Sequence, residues 1–505
     1  MIPLDSPRDS AESALARLLT VPRVAELLGR RFDKYGHELH LVGGSVRDAL
    51  LGRPDDDLDF ATDAAPEAVL ECVGPVADSV WTTGVAFGTV GISWRGRRIE
   101  ITTYRSESYD RTSRNPQVTY GETIEEDLGR RDFTINAMSV SVPGHVFCDP
   151  FGGLADLGRR VLRTPGRPER SFDDDPLRIL RAARFVAQLA LRPDPSVVDA
   201  MRSRADRLKI VAPERIRDEL DKLLLAPDPV AGLTLLVDTG AAEMFLPELP
   251  ALRLEIDEHH QHKDVYVHSL RVLERAIDRE SAYTDGPNLR LRLAALLHDI
   301  GKPRTRKHLP RGGVSFHHHE AVGRRMTMSR LSALRFPRDV VDDVGRLVEM
   351  HLRFHGYGTA DWTDSAVRRY AADAGDLLPL LHALVRSDCT TRNRRKAAAL
   401  EAAYDELERR IADLAAREEL SRIRPDVDGN EVMRVLGIPP GPAVGQALAH
   451  LLELRFERGP LGREAAVTEL LAWARAQGIR VGSAAPRVEM DLLPVDPPPS
   501  GNSST

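Results

Sequence analysis

Residues 41–62 read LVGGSVRDALLGRPDDDLDFAT, and this order of residue types predicts a strand, a turn, a helix, a second turn and a second strand. The residues before Gly43 are apolar, as in a buried strand, and Gly52 closes a segment with the composition of a short helix. A helix that begins directly after a Gly-Gly turn presents free backbone N–H groups, to which phosphate binds. The stretch therefore predicts a mixed α/β unit with a phosphate site at its first turn.

The second turn and strand of this stretch hold four carboxylates. Because side chains alternate along a strand, Asp57 and Asp59 share one face, whereas Pro54 keeps Asp55 and Asp56 in the turn. Two carboxylates on one strand face repel each other unless a cation lies between them. Mg²⁺ suits such a site, since it prefers few protein carboxylates together with substrate phosphates. The pattern is thus compatible with a Mg²⁺ site at Asp57 and Asp59, and the competing interpretation is a solvated acidic turn.

A third carboxylate lies on a predicted neighbouring strand. Residues 88–94 (GTVGISW) and 97–105 (RRIEITTYR) alternate like paired strands joined by an Arg-Gly turn. Glu100 then faces opposite to the isoleucines on either side of it, which makes it a candidate to complete a catalytic two-metal site. The competing interpretation is an exposed glutamate on a strand face. Residues 106–119 are polar and contain proline, so they predict a loop.

The bulk composition describes a globular chain of several domains. Its 505 residues suggest about three domains, and 42% hydrophobic residues are enough for real cores. The three cysteines lie far apart without a CxxC spacing, and the acidic N-terminus does not resemble a signal peptide, so the sequence predicts a cytoplasmic protein. No run of about 18 apolar residues occurs, so no membrane association is predicted.

Charge and helical pattern change along the chain. The net charge of −6 does not indicate a nucleic-acid binder, yet residues 156–217 hold fifteen basic against nine acidic residues. This region opens a nearly all-helical part of the chain, in which Arg178, Arg181 and Arg184 recur every third residue along one flank of a helix. The competing interpretation is an ordinary solvated helix face. A Pro/Gly break at residues 437–445 separates two further helical stretches.

Five ordered motifs resemble those of the class II tRNA nucleotidyltransferase and bacterial poly(A) polymerase family. The resemblance begins with the stretch quoted above and covers about residues 35–480, nearly the whole folded chain. Five motifs in the right order are too many to match by chance. The four later motifs are RRDFTINAM (130–138), DPFGGLADL (149–157), DDPLRILRAARF (174–185) and ERIRDELDKLL (214–224).

The resemblance implies an enzyme that adds nucleotides to an RNA 3′ end. The 3′ hydroxyl attacks the α-phosphate of a nucleoside triphosphate and pyrophosphate leaves, with Asp57 and Asp59 as Mg²⁺ ligands. By the same resemblance Arg131 binds phosphate and Asp132 binds ribose, while Asn136 orders its segment or, alternatively, serves only in capping or packing. The complete set of residues expected to bind the nucleotide is Gly43, Gly44, Ser45, Arg47, Arg131, Asp132, Asn136, Asp175, Arg178 and Arg181.

Asp175 and Arg178 are the residues that, by the resemblance, select the incoming base without a template. Cytosine and adenine both present an amine donor beside a ring-nitrogen acceptor, which a carboxylate and a guanidinium match. Uracil and guanine present a carbonyl and an N–H there, so both protein groups would be mismatched. Arg181 is expected to add a base or phosphate contact. The competing interpretation is that Asp175 and Arg178 form only a surface ion pair.

A second set of motifs resembles the HD phosphohydrolase superfamily. The pattern is a histidine, then a His-Asp pair in LLHDIGKP (296–303), then a distant aspartate. Mixed imidazole and carboxylate ligands suit Mn²⁺, Ni²⁺, Fe²⁺ or Mg²⁺ more than structural zinc. His319 and His351 are candidates for a second metal or a substrate phosphate, and a purely structural HD domain is the competing interpretation. The expected metal ligands of the HD site are His268, His298, Asp299 and Asp388.

These patterns together predict an α+β protein with a mixed-sheet catalytic head and a mostly helical remainder. The predicted function is addition of CCA to the tRNA 3′ end from CTP and ATP. The alternatives are a poly(A) polymerase, a CC- or A-adding enzyme, or an HD phosphohydrolase with an inactive transferase half. The predicted domains are a head (21–155), a helical neck (156–250), an HD domain (251–395), a tRNA-binding helical tail (396–482) and a disordered tail (483–505).

Overall fold

The chain forms two compact units, residues 1–349 and residues 350–505. The predicted turn at Asp55 and Asp56 and the predicted disordered tail at 483–505 lie outside the residues that the structure describes. Within the two units, the computed structural model describes residues 23–53, 57–85, 88–108, 117–121, 123–253, 264–310, 314–354, 357, 362–389, 393–418 and 423–479.

The first unit begins with a mixed sheet of seven strands. Its elements are α1 (Arg23–Lys34), β1 (Leu39–Val42), α2 (Gly44–Leu50), β2 (Leu58–Thr62), α3 (Pro66–Val73), β3 (Ser79–Trp81), β4 (Thr89–Trp94), β5 (Arg97–Thr103), β6 (Arg105–Ser108), β7 (Gln117–Tyr120), α4 (Ile124–Gly129), β8 (Ser139–Ser141) and β9 (Phe147–Cys148). The strand order is β3-β4-β5-β2-β1-β8-β9. Strands β2 and β5 are parallel, and the other neighbours are antiparallel. The predicted mixed-sheet head is thus confirmed.

The passage from β1 into α2 depends on a glycine. Gly43 has a φ of 67°, a left-handed conformation that residues with a Cβ rarely adopt. A Cβ at this position would also lie 2.7 Å from Nη1 of Arg131, closer than real Cβ atoms approach other groups. Gly43 therefore allows both the turn and the close approach of an arginine to the start of α2.

Two hairpins follow in the head. Strands β4 and β5 pair around Arg95 and Gly96, whose φ angles of 54° and 76° belong to the primed turns that match the twist of a hairpin. Strands β6 and β7 pair with each other as a separate two-stranded ladder. The prediction of a loop over residues 106–119 was wrong for its two ends, because backbone pairing continues into that polar segment.

The neck continues the first unit with helices and short strands. Its elements are α5 (Gly153–Arg159), β10 (Val161–Leu162), α6 (Pro168–Asp174), α7 (Arg178–Leu189), β11 (Arg192–Pro193), α8 (Pro195–Arg204), α9 (Pro213–Leu224) and α10 (Pro229–Asp238). Helix α7 packs against α9 and α10 through an apolar face that includes Ile179, Ala183 and Val186. The opposite flank of α7 carries the three arginines predicted from the spacing.

The remainder of the first unit is a helical cluster. Its elements are α11 (Val265–Tyr283), α12 (Leu289–Leu297), α13 (Lys302–Thr305), β12 (Lys307–His308), β13 (Val314–Ser315), α14 (His319–Ala333) and α15 (Arg338–Met350). Buried Arg292 on α12 pairs with Glu280 on α11 at 2.6 Å and donates to the carbonyl oxygens of Leu224 and Ala226. This satisfied buried cation joins the cluster to the end of α9.

The second unit is helical. Its elements are α16 (Asp364–Ala374), α17 (Leu378–Asp388), α18 (Arg394–Ala415), α19 (Gly429–Leu436), α20 (Pro442–Arg458) and α21 (Arg463–Ala476). The last three helices pack around an apolar core that includes Val432, Leu451 and Leu470. The predicted Pro/Gly break is confirmed between α19 and α20. A helix both long and apolar enough to cross a membrane does not occur in the described parts of the chain.

Candidate functional site

The three predicted carboxylates lie side by side on the central strands of the head. Asp57 directly precedes β2, Asp59 lies on β2, and Glu100 on β5 is the register partner of Asp59. Leu58 and Phe60 are buried, while Asp57 and Asp59 are exposed, as alternation along a strand requires. The structure therefore presents these acids on one open face of the sheet.

Ser45 joins the first helix to this strand. Its hydroxyl accepts a hydrogen bond from the backbone N–H of Asp59 at 3.0 Å and donates to the carbonyl oxygen of Asp57 at 3.4 Å. Sequence reasoning expected Ser45 to contact phosphate, but the described contacts of its hydroxyl are with the strand. Ser45 thereby holds the start of α2 next to the two acids.

Two clefts meet at Asp59. We call the first the arginine cleft; it has a volume of about 380 Å³, and eight arginines and three aspartates are among its lining residues. The second, the carboxylate cleft, has a volume of about 440 Å³ and is lined by Asp48, Asp57, Asp59 and Glu100 together with four cations. The shared wall consists of Gly44, Arg47, Asp59 and Arg184. The cationic arginine cleft suits a triphosphate, and its neighbour suits divalent metal ions.

A buried carboxylate holds two of the cleft arginines. Asp127 on α4 is fully buried and accepts hydrogen bonds from Arg130 and from Arg131, the latter at 3.0 Å. Burial disfavours its charged form, but Arg131 and Arg130 outweigh that effect, so the pKa of Asp127 is lowered. Sequence reasoning did not find Asp127, although its spacing of three and four residues from the two arginines was a usable signal.

A chain of hydrogen bonds crosses the floor of the arginine cleft. Asn136 accepts from Nη1 of Arg47 at 2.6 Å and donates to Oδ1 of Asp132 at 2.9 Å. Asp132 also accepts from Arg181 at 2.6 Å and is only 7% exposed. Burial opposes the charge of Asp132, yet Arg181 and Asn136 outweigh it, and the pKa falls far below its ordinary value. Asn136 thus orients Arg47 and Asp132 together.

Asp175 and Arg178, the pair predicted to select the base, both line the arginine cleft, but the two residues have separate partners. Nη1 of Arg178 donates to Oγ of Ser171 at 2.7 Å, and Nη2 donates to the carbonyl oxygen of Arg130 at 2.6 Å. Asp175 is held by Arg215 on α9 at 2.8 Å. Neither Ser171 nor Arg215 was found by sequence reasoning, because Arg215 lies forty residues from Asp175 and Ser171 lies on a different helix from Arg178.

The ring of Phe185 makes cation–π contacts with three arginines of the cleft. Its buried ring lies 4.2 Å from the guanidinium of Arg184, 5.2 Å from that of Arg47 and 5.7 Å from that of Arg181. Glu219 on α9 accepts from Nε of Arg184 at 2.6 Å. Burial lowers the pKa of Arg184, and Glu219 counteracts that effect. Phe185 and Glu219 therefore fix the arginines that separate the two clefts.

The first unit also holds three of the four predicted HD residues in one cluster. His298 and Asp299 follow α12, as the motif predicted, and His268 lies on α11. Nε2 of His298 lies 3.4 Å from Nε2 of His268 and 3.2 Å from Oδ2 of Asp299. The fourth predicted ligand, Asp388, is the last residue of α17 in the second unit.

The histidine rings of this cluster are oriented for metal binding. Nδ1 of His298 lies 2.9 Å from the carbonyl oxygen of Ala295, and Nδ1 of His319 lies 2.8 Å from that of Phe316. A neutral ring that donates through Nδ1 carries a lone pair on Nε2, and both Nε2 atoms face Asp299, at 3.2 Å in each case. Acceptors that converge in this way favour a cation between them, so the donor set fits a divalent metal.

The other histidines that the sequence singled out differ in their exposure. His317 and His318 are exposed, whereas His319 is 6% exposed. Lys302, which sequence reasoning missed, lies with its ammonium 2.9 Å from Oδ2 of Asp299. His351 is buried in the second unit. A Cβ on Gly301 would lie 2.2 Å from the carbonyl oxygen of His319, so this glycine allows α14 to approach the His-Asp pair.

Three family models match the chain in consecutive segments. Residues 39–163 match the poly A polymerase head domain, and residues 191–252 match a domain described as the probable RNA and SrmB- binding site of polymerase A. Residues 265–416 match the HD domain. Nucleotidyltransferase and HD domains generally use divalent metal ions, in agreement with the carboxylates and histidines described above.

Known proteins resemble the chain over 42% to 91% of its length. The A-adding tRNA nucleotidyltransferase of Deinococcus radiodurans is 35% identical over 423 residues, which cover 82% of this chain and 91% of that protein. The CCA-adding enzyme of Lactobacillus gasseri is 40% identical over 215 residues, or 42% of this chain and 53% of that protein. The crystal structure of the Bacillus stearothermophilus CCA-adding enzyme in complex with CTP has a TM-score of 0.62 at 26% identity, covering 91% of this chain and 99% of that one.

The family expected from the five motifs is therefore confirmed by sequence and by fold. The Deinococcus protein matches 82% of the chain in sequence, and the solved CCA-adding enzyme matches 91% of it in fold. The chain belongs to the family of tRNA nucleotidyltransferases and poly(A) polymerases, with an HD domain.

Proposed function

We propose that this chain completes the 3′ end of tRNA by adding C, C and A from CTP and ATP without a template. The observation that carries the proposal is the meeting of the arginine cleft and the carboxylate cleft at Asp59. A triphosphate in the first cleft and an RNA 3′ end at the second would meet at their shared wall. The names of the relatives support tRNA as the RNA and C and A as the nucleotides added, and one solved relative is in complex with CTP.

The proposed chemistry is nucleotidyl transfer. Asp57 and Asp59 would hold Mg²⁺, with Glu100 beside them, and Mg²⁺ when bound supplies activation of the 3′ hydroxyl and charge neutralisation at the leaving group. Arg47 and Arg131 would orient the triphosphate, because their guanidinium groups are already fixed at the start of α2. The 3′ oxygen bonds to the α-phosphorus, the bond to the bridging oxygen breaks, and pyrophosphate leaves.

Base selection in this proposal rests on Asp175 and Arg178. The carboxylate accepts from the exocyclic amine of cytosine or adenine, and the guanidinium donates to the ring nitrogen. Asp132 and Arg181 complete the nucleotide site next to them. The preference for CTP and ATP over UTP and GTP follows, since the wrong bases leave buried polar groups mismatched.

The product distinguishes the proposed reaction from its nearest alternatives. We would incubate the protein and Mg²⁺ with tRNA lacking CCA, and separately with tRNA ending in CC, giving CTP and ATP singly and together. Ordered addition of C, C and A that then stops supports the proposal. Addition of A to tRNA ending in CC, with no reaction of the shorter tRNA, identifies an A-adding enzyme. Unlimited A addition to unrelated RNA identifies a poly(A) polymerase.

We propose a second, metal-dependent phosphohydrolase function for the HD cluster. The observation that favours it is the pair of histidine Nε2 atoms directed at Asp299, with Lys302 as an additional cation for phosphate. Mn²⁺, Ni²⁺, Fe²⁺ and Mg²⁺ are the candidate ions, with His268, His298, Asp299 and Asp388 as proposed ligands. Metal content per chain and hydrolysis of phosphomonoesters and phosphodiesters test the proposal. A chain that binds no divalent metal at this cluster would overturn it.

The two activities imply a division of labour along the chain. We assign catalysis to a head at 21–155, nucleotide selection to a neck at 156–250, the metal cluster to an HD domain at 251–395 and tRNA binding to a tail at 396–482. Recognition by such a tail would rest on RNA shape and backbone more than on sequence. We place the protein in the cytoplasm, where tRNA and both nucleotides are available.

A further inference from the structure

Asp175 lies at a point where the chain leaves helical structure. It follows the last residue of α6, and its backbone is extended, with φ −140° and ψ 102°. Its Oδ1 accepts the backbone N–H of Leu177 at 3.1 Å, and its Oδ2 accepts Nη2 of Arg215 at 2.8 Å. Each carboxylate oxygen thus has one donor from the protein, one from two residues and the other from forty residues further along the chain.

These contacts restrict how the carboxylate can turn. A carboxylate held by only the Leu177 N–H can still rotate about its last side-chain bond, which moves the free lone pairs away from the base. Arg215 fixes the second oxygen and so fixes the plane of the group. Because each oxygen has a further lone pair, the carboxylate retains acceptor capacity for an exocyclic amine.

Arg215 differs from the nearby Arg217 in the carboxylate that it contacts. Its side chain is half-exposed, yet it reaches Asp175, which is 16% exposed, across forty residues of sequence. Arg217, two residues further along α9, instead pairs with its neighbour Asp218 at 2.7 Å. Both arginines project from the first turns of one helix, but only Arg215 lines the arginine cleft.

We infer that Arg215 is a positioning residue for base selection, which holds Asp175 in the orientation that accepts the exocyclic amine of cytosine or adenine. This inference rests on the proposed function, in which Asp175 and Arg178 read the base. It adds a third, distant residue to that pair, on a different helix. Arg178 has its own support from Ser171 and the Arg130 carbonyl, so the two reading groups are oriented independently.

Arg215→Ala is expected to weaken selectivity more than addition itself. Loss of one charge-assisted hydrogen bond to the reading group corresponds to about a tenfold loss in a ratio of rates. We expect kcat/KM for CTP to fall and that for UTP to change little, so the CTP:UTP ratio drops about tenfold. Arg215→Lys keeps a donor to Asp175 and is expected to restore part of the ratio.

The measurement is single-nucleotide addition to tRNA lacking CCA, with kcat and KM determined separately for CTP and UTP. Arg217→Ala is the matched control, since it removes an arginine from the same helix turn without touching Asp175. Asp175→Ala in the same assay should abolish the preference. If wild type shows no preference, or Asp175→Ala retains it, the proposed function fails.

A different pattern of results would overturn the inference about Arg215 while leaving the proposed function intact. If Asp175→Ala loses the preference but Arg215→Ala keeps the full CTP:UTP ratio, Arg215 does not position the carboxylate. An equal rise of KM for both nucleotides would assign Arg215 to phosphate binding instead and would also overturn the inference. Circular dichroism and thermal melting of each variant ensure that the ratio is measured on folded protein.

Discussion

The arginine cleft and the HD cluster satisfy their charges in opposite ways. In the cleft, Arg131 is held by buried Asp127, and Arg181 by buried Asp132, so the cations are positioned before any ligand arrives. In the cluster, the Nε2 atoms of His298 and His319 converge on Asp299, which brings acceptors together. The first arrangement is preorganised for an anion and the second for a cation. One chain therefore carries two sites of opposite electrostatic design.

Removing a carboxylate from the carboxylate cleft should distinguish the two sites by the largest effect. Asp59→Asn should lower nucleotide addition about a thousandfold or more, because a metal ligand contributes several kcal/mol to the transition state. Addition is measured by gel with labelled ATP, and metal bound by the HD cluster is measured in parallel. Asp63→Asn, just beyond the other end of β2, is the control and should retain activity. Full addition by Asp59→Asn would refute the assignment.

The positions of the cations in the arginine cleft can be disrupted by changing the buried carboxylate of Asp127. Asp127→Asn leaves Arg130 and Arg131 without their buried partner, and we expect the free energy of unfolding to fall by about 3–5 kcal/mol. Denaturant unfolding checks this, and nucleotide affinity should fall with it because both arginines line the cleft. Glu125→Gln, an exposed change on the same helix, should be neutral. Unchanged stability in Asp127→Asn would show that the two arginines are not held by this carboxylate.

The convergent acceptors of the HD cluster can be disrupted by removing the imidazole ring of His298. His298→Ala should reduce the affinity for a divalent metal by about a hundredfold or more. Removing a residue that only hydrogen-bonds to a metal ligand already lowers metal affinity about 10- to 100-fold, and removing the ligand itself should lower it at least as much. Metal content after dialysis is the measurement, with nucleotide addition as an internal check that should stay unchanged. His317→Ala, an exposed histidine nearby, should bind metal normally. Equal metal content in both variants would contradict the proposed ligand set.

Lowering the pH should have the smallest of these effects on the arginine cleft, and the effect should develop gradually. The pKa values of Asp127 and Asp132 are lowered in the folded chain, so both groups contribute stability that is complete above their ordinary value of 3.8. That contribution is lost as pH falls below this value toward the folded pKa values, because the unfolded chain then binds protons more readily. Unfolding titrations between about pH 5 and pH 2 should show a fall of roughly 1–3 kcal/mol. The slope should be shallower in Asp132→Asn.

Local patterns predicted the parts of both sites that depend on spacing along the chain. Alternation in β2 predicted that Asp57 and Asp59 share a face, and the HD motif predicted the position of His298 and Asp299 after a helix. The partners that fix these groups could not be predicted in the same way. Arg215 reaches Asp175 only because α9 packs on α7, and residues 106–108 are strand only because residues 117–120 pair with them. Such contacts arise from tertiary packing, which local propensity does not encode.

The pairing of Asp59 with Glu100 sets limits on how this protein can change. Because the two acids are register partners on parallel strands, one residue inserted within β5 would turn Glu100 into the core and place an isoleucine in the carboxylate cleft. A substitution at an exposed position of these strands leaves the register unchanged, whereas a shift in length does not. Insertions and deletions should therefore accumulate in the connections around β5 and be absent within it, a pattern that a library of length variants would reveal.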